Sequence, residues 1–238
     1  RDHTLIKHVP QRMINAILAI EDRRFFEHPG IDIIGVMRAA FKNISGQGHE
    51  GASTITMQVA RNFFLSSEKT FKRKINEILL AIKIERSLTK EAILELYINQ
   101  IYLGQRSFGF SAAADTYFNK RLDELNLAES ALLAGLPKAP SRYNPLINPE
   151  LAIQRQHAVL RSMKRHGYID NATYVIALDE PLDLRDSINK RELKADYVAE
   201  MVRQELYSEF GDGIYTSGLK VYTTIKKKNQ VYAYDTKP

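Results

Sequence analysis

An acidic pair followed closely by a histidine stands near the start of the chain: Glu21-Asp22-Arg23-Arg24-Phe25-Phe26-Glu27-His28-Pro29-Gly30. A hydroxyl-rich run comes next, Gly51-Ala52-Ser53-Thr54-Ile55-Thr56-Met57-Gln58-Val59-Ala60-Arg61-Asn62, and then Arg73-Lys74-Ile75-Asn76-Glu77. A carboxylate can move a proton. Hydroxyls and backbone amides behind a glycine suit an anion, above all where a helix begins. Lysine and arginine stabilise charge on a departing phosphate. Together these are the parts needed to join sugars through a phosphate leaving group.

Each run also has a plainer reading. A glutamate at a helix end is usually a surface residue. Here Phe25 and Phe26 stand beside Glu21, and aromatic neighbours lower polarity and raise a carboxyl's proton affinity. His28, before Pro29-Gly30, could be a turn former, a substrate-orienting group, a base or a metal ligand. The run from Gly51 to Thr56 could be an ordinary Ser/Thr helix cap. It is neither a Walker phosphate loop nor a dinucleotide fingerprint. Lys69 to Lys74 could be a solvated face or a nucleic-acid patch, but Phe71 is the single aromatic in it, and aromatics do not interleave with its basic residues as base-stacking platforms would.

The elements that must position these groups read as helices. Pro10 is tolerated at a helix start, and Met13, Ile14, Ile17 and Leu18 form one stripe, so Glu21 falls at that helix's C-terminal end. Asp32 can cap a helix carrying Ile34, Met37, Phe41 and Ile44. Residues 45–51 read as a mobile loop. Phe71 to Arg86 is apolar on two sides, with Phe71, Ile75, Ile78, Leu79 and Ile82 on one and Leu80 and Ile84 on the other. Such a helix is expected to be buried. Glu77 lines up with Arg73, Leu80 and Ile84, off any open face. Thr89 can cap a helix with Ile93, Leu94, Tyr97, Ile98 and Ile101 on its apolar side. Asn126 with Glu129 forms a capping box, Gly135 and Pro137 end that helix, and Asn148-Pro149 opens another that stops at Gly167. Leu219 to Ile225 alternates as a strand should, and a domain boundary is expected within 180–218.

Composition sets the limits. The 238 residues hold 44% hydrophobic side chains, enough for a substantial core. Lys+Arg 34 against Asp+Glu 28 leaves +6, which favours an anionic partner such as phosphate, nucleic acid or an anionic lipid surface. There is no cysteine, so thiol chemistry is excluded. No apolar run is long enough to span a bilayer, and no signal peptide is present. With Arg1 in place of a methionine, the chain reads as a piece of a longer protein.

With these residues in view, the chain resembles the peptidoglycan glycosyltransferase family (family 51), the polymerising domain of class A penicillin-binding proteins. The first motif matches Glu21, Asp22, Phe25, His28 and Gly30. The second matches Gly51, Ser53, Thr54, Ile55, Thr56, Gln58, Arg61 and Asn62, with Met57 where the family commonly has glutamine. The third matches Arg73, Lys74 and Glu77; the fourth Ile93, Leu94, Tyr97, Asn99, Tyr102 and Gly104. The fifth is partial: Arg155, Val159 and Leu160 fit, and Gln156 replaces an arginine. The match covers about residues 10–165, and the run from Tyr197 to Ile225 resembles the linker toward a penicillin-binding transpeptidase domain.

The resemblance implies a mainly α, lysozyme-like fold over 1–180, with a large lobe and a smaller membrane-facing lobe. Residues 181–238 would be a linker with a short β segment. It implies polymerisation of lipid II into glycan strands by inverting transfer, with release of undecaprenyl pyrophosphate. Glu21 would be the general base and Glu77 the second catalytic carboxylate. Asp22, Phe25, His28, Gly30, Ser53, Thr54, Thr56, Gln58, Arg61, Asn62, Arg73, Lys74, Lys83, Tyr97, Asn99 and Tyr102 would bind substrate. A divalent cation, Mg or Mn, could assist, and moenomycin should block the donor site. The setting implied is the periplasmic face of the bacterial inner membrane, with an anchoring helix preceding this chain, a transpeptidase domain following it and no nucleic acid. The rivals are a lysozyme-like muramidase or lytic transglycosylase, and, from another class, a basic helical module binding membrane or nucleic acid.

Overall fold

The structure, a computed structural model, describes residues 3–44, 53–64, 71–184, 196–211, 214, 221–226 and 228–230. It is mainly helical. By its internal packing the chain divides into two units, Arg1–Ser187 and Ile188–Pro238.

The first unit is assembled around three helices. α1 (Gln11–Glu21) buries Met13, Ala16, Ile17, Leu18 and Ala19, as the stripe predicts. α7 (Leu127–Gly135) is buried from Ala128 to its end and packs against α1 and against α8 (Pro149–Arg165). A helix enclosed this way needs its first-turn amides satisfied internally. Asn126 accepts from the Glu129 amide at 2.7 Å, and the Glu129 carboxylate accepts from the Asn126 amide at 3.0 Å. Glu129 has no solvent exposure, and Lys120 meets it at 2.6 Å. On α8, Ser162 reaches across to the Ala19 carbonyl at 2.6 Å, so the end of α1 that carries Glu21 is tied to α8. α9 (Asn171–Asp179), capped by Asp170, closes this side.

α5 (Lys90–Gln100) is capped by Thr89 and buries Ile93, Leu94, Tyr97 and Ile98. α6 (Phe110–Phe118) adds Phe110, Tyr117 and Phe118 to the same continuous core. Burying a side chain of this size contributes roughly 1.5–3 kcal/mol, which supplies the rigidity a polar site at its edge requires.

α3 (Ile55–Phe64) and α4 (Phe71–Ser87) pack on each other and on α5. Here the pattern reading is corrected. Ile75 is 53% exposed and Leu79 60% exposed, so the longest apolar stripe faces outward. The inward face runs Glu77, Ala81 and Glu85, spaced by four. The reason lies in the turn that follows α1. Gly30 has φ +95, and a Cβ there would lie 3.1 Å from the Ala81 carbonyl oxygen and 3.0 Å from Glu85 Cγ. α4 therefore turns a small residue and two partnered carboxylates toward the neighbouring backbone. α2 (Ile33–Ile44) is preceded by Asp32, whose backbone carbonyl accepts from Val36. It leaves Ile33, Ile34, Met37 and Phe41 exposed. The Ile44 and Phe71 side chains and the loop 45–51 lie outside the described residues.

The second unit contains α10 (Asp196–Phe210). Residues 221–226 form no strand, whereas their alternation predicts one; residues 219 and 220 lie outside the described residues. A strand requires a partner to complete its hydrogen bonds, and among the described residues none pairs with this segment.

Candidate active site

α1 delivers Glu21 to the wall of a cleft of about 630 Å³, a size typical of small-ligand sites. The Glu21 side chain is only 10% exposed. Its Oε2 accepts a 2.6 Å hydrogen bond from Gln58 Nε2, delivered by α3. Its Oε1 lies 3.8 Å from Arg155 Nη2 on α8. Burial pushes the carboxyl above the usual glutamate range. The Gln58 hydrogen bond, Arg155 and Arg61 pull the other way, and Asp22 adds a smaller upward push. The sequence points to Phe25 and Phe26 as the source of that apolar setting. In the structure the setting comes from enclosure between α1, α3 and α8. Phe25 turns into the core beneath the His28 ring, with Lys90 Nζ 4.5 Å from its centroid. Tyr97, 1% exposed, has its phenol pushed far up by burial, with the Glu21 charge next in effect.

Asp22 and His28 hold each other inside the wall. His28 Nδ1 accepts the Gly30 amide at 3.2 Å, so Nε2 carries the proton and donates to Asp22 Oδ1 at 2.8 Å. Asp22 Oδ2 also accepts the Ile55 amide at 3.0 Å, at the start of α3. Thr54 caps α3 through the Met57 amide and donates to the Gly30 carbonyl at 2.6 Å. Thr56, fully buried, donates to Glu85 at 2.5 Å. Lys90 bridges Glu85 and the His28 carbonyl. Motifs one and two thus meet as one network. His28, Thr54 and Thr56 hold it together with their polar atoms, as a turn former does, and Ser53 remains as the hydroxyl facing outward.

Ser53 leads to the second carboxylate. Lys74 Nζ donates to Ser53 Oγ at 2.8 Å and to Glu77 Oε2 at 2.7 Å. Glu77 is 1% exposed, with Arg73 Nε 3.9 Å from Oε1. Lys74 itself is 41% exposed, leaving its ammonium accessible to an anion. Ser53 lines the Glu21 cleft together with Arg61, Arg155, Arg38, Lys138 and Arg161, so the cavity is strongly cationic.

Arg73, Lys74 and Glu77 adjoin the cleft through Ser53 and do not line it themselves, and four further residues singled out from the sequence sit elsewhere. Asn62 and Lys83 are exposed on α3 and α4 and do not line the cleft. Asn99 pins the N-terminal segment, donating to the Thr4 carbonyl at 2.9 Å and accepting the Thr4 amide at 2.8 Å. Tyr102 is bridged to Phe108, with ring centroids 5.0 Å apart. Glu85 and Lys90 were missed, since nothing in their spacing marks them. Arg155 carries a signal only as the matched arginine of the partial fifth motif. Its neighbour Gln156 is buried and donates to the Ala128 carbonyl at 3.1 Å, and Met57 is buried as well. Both departures from the family pattern therefore lie off the cleft.

Among the described residues, no three His, Cys, Asp or Glu side chains are grouped so as to hold a metal ion by themselves. Glu21 and Glu77 each have cationic neighbours instead.

A family model described as Transglycosylase matches residues 1–164. Penicillin-binding protein 1A of Neisseria meningitidis is 55% identical over 234 residues, covering 98% of this chain and 29% of that protein. Penicillin-binding protein 1A of Pseudomonas aeruginosa is 50% identical over 223 residues, covering 93% and 27%. The crystal structure of Penicillin-Binding Protein 1A from Haemophilus influenzae superposes with a TM-score of 0.59 at 35% identity, covering 99% of this chain and 25% of that one. The chain thus spans less than a third of the length of these relatives.

Proposed function

The chain belongs to the transglycosylase family, and on that premise we propose that it polymerises lipid II into glycan strands for the bacterial cell wall, releasing undecaprenyl pyrophosphate. The observation that carries this is a buried glutamate with raised proton affinity, set in the wall of a cationic cleft. Glu21 takes the proton from the 4-hydroxyl of the acceptor N-acetylglucosamine. The hydroxyl oxygen attacks the donor's anomeric carbon with inversion, and the bond to pyrophosphate breaks with its electron pair on the leaving group. Lys74 and Arg73 meet that growing negative charge, a term worth up to ~10²–10³ in rate for one well-placed donor. Glu77 holds Lys74 in place from beneath.

A muramidase or lytic transglycosylase would use the same raised glutamate as an acid. The cationic cleft favours transfer over cleavage, because hydrolysis of a glycan develops no pyrophosphate charge. Incubation with lipid II and with intact sacculi separates the two. Consumption of lipid II, blocked by moenomycin and abolished in Glu21→Gln, is the expected result. Polymerisation by a folded Glu21→Gln at the native rate would remove Glu21 from the chemistry.

The exposed Ile33, Ile34, Met37 and Phe41 of α2, with Ile75 and Leu79 of α4, support contact with the inner membrane surface. Among the described residues no helix is long and apolar enough to cross a membrane. We assign the anchor to a preceding segment and the transpeptidase domain to a following one, in keeping with the fraction of each relative that this chain spans. The expected location is the periplasmic face.

A further inference from the structure

The two oxygens of Glu21 are not equivalent. Oε2 is occupied by Gln58 at 2.6 Å. Among the described residues the polar neighbour of Oε1 is Arg155 Nη2 at 3.8 Å, beyond hydrogen-bond reach and still close enough for strong attraction. Arg155 is held there rigidly. Its Nε donates to the Gly135 carbonyl at 3.1 Å, its guanidinium lies 5.8 Å from the Tyr143 ring centroid, and its side chain is 11% exposed. The close approach of α7 and α8 fixes this pose: a Cβ on Gly135 would lie 2.8 Å from Arg155 Cγ.

We propose that Arg155 is a positioning residue that keeps Glu21 ionised with Oε1 presented to the cleft, as the oxygen that receives the acceptor hydroxyl's proton, an inference that depends on Glu21 being the base. The 3.8 Å gap matters. A direct hydrogen bond from Arg155 would occupy the lone pair the proton needs, and a more distant cation would leave burial to neutralise the carboxyl. The coupling is visible from both sides: Arg155 lowers the proton affinity of Glu21, and the Glu21 charge supports the guanidinium against its own burial. The other groups that face Glu21 are Asp22 beside it, Gln58 and Arg61 on α3, and Tyr97 on α5. Arg61 leaves the base a second cation, so loss of Arg155 displaces its titration without abolishing it.

The test is the pH dependence of lipid II polymerisation for the wild-type chain, Arg155→Met, Arg155→Lys, Gly135→Ala and Glu21→Gln. Arg155→Met is expected to move the acid limb of kcat to higher pH, so that its activity falls more at pH 6 than at pH 8, with little change in KM. Arg155→Lys retains the charge and should hold the limb near its wild-type position. Gly135→Ala displaces the guanidinium without removing it and should move the limb upward, which keeps the test alive where Arg155→Met fails to fold. Independently of turnover, the difference in unfolding midpoint between the wild type and Glu21→Gln, followed against pH, reports Glu21 titration. The same difference taken in the Arg155→Met background should move to higher pH. An unmoved limb, or an effect confined to KM, would overturn the role of Arg155 while a dead Glu21→Gln keeps Glu21 as base. An active Glu21→Gln would instead overturn the underlying reading.

Discussion

Removing the Lys74 ammonium tests whether the second carboxylate is held for structure, for chemistry, or for both. In the native chain Lys74 Nζ bonds Glu77 at 2.7 Å and Ser53 at 2.8 Å, and Glu77 is 1% exposed. Lys74→Ala strands a buried carboxylate, a change that costs about 3–5 kcal/mol where no compensation exists. Two features reduce it. Lys74 is 41% exposed, so water can enter the space it vacates, and Arg73 stands 3.9 Å from the other oxygen. That leaves a loss of about 2–3 kcal/mol, in line with a charged hydrogen bond lost at a buried site. At about 2–4 °C per kcal/mol for a chain of this size, the unfolding midpoint should fall by about 4–12 °C. Polymerisation should fall further, by ~10²–10³, because the leaving group loses its donor. The decisive variant is Lys74→Ala combined with Glu77→Gln. It removes the stranded charge, so most of the stability should return while activity stays low. The measurements are thermal unfolding and lipid II turnover at saturating substrate. A single variant within about 0.5 kcal/mol of wild type, or a double variant with restored turnover, would refute the argument.

Other outcomes follow from the same geometry. The folded proton affinity of Glu21 is raised, so its protonation stabilises the fold fully below the ordinary glutamate range and that contribution is lost as pH rises through the raised value. Glu21→Gln should therefore unfold at higher temperature than wild type at pH 7, with the gap narrowing in acid; a lower midpoint at pH 7 would contradict this. Gly30→Ala must hold φ +95 and press on Ala81 and Glu85, at about 1–3 kcal/mol. An unchanged midpoint would show that the turn can relax. Polar replacement of Ile34, Met37 and Phe41 should weaken binding to anionic liposomes and leave the unfolding midpoint unchanged, since all three are exposed. Equal liposome binding would remove α2 from the membrane contact.

How much of this was legible in the sequence depended on the range of the physics involved. Caps are local: Thr89 and Asn126 with Glu129 cap their helices by short-range hydrogen bonds, and Pro149 opens its helix where a missing amide hydrogen costs nothing. The burial of α1 and α5 was legible too, because each presents one apolar face to one core. α4 failed as a pattern since its inward face is chosen by a glycine turn and by polar partners distant in sequence, not by hydrophobicity. The same limit governs the site. Glu21 stood out, but its environment is set by Gln58 from α3 and Arg155 from α8, brought together only when the helices pack. The family motifs nominated His28, Thr54 and Thr56 for substrate; in the folded chain His28 bonds Asp22 and the Gly30 amide, Thr54 donates to the Gly30 carbonyl and Thr56 donates to Glu85. A motif of this kind therefore mixes reacting groups with the groups that immobilise them. The physical sign that separates the two is whether a polar atom's partners are already present in the folded chain. Glu21 Oε1, and the one N–H of the exposed Lys74 ammonium that Ser53 and Glu77 leave over, are the groups best placed to take a partner from outside.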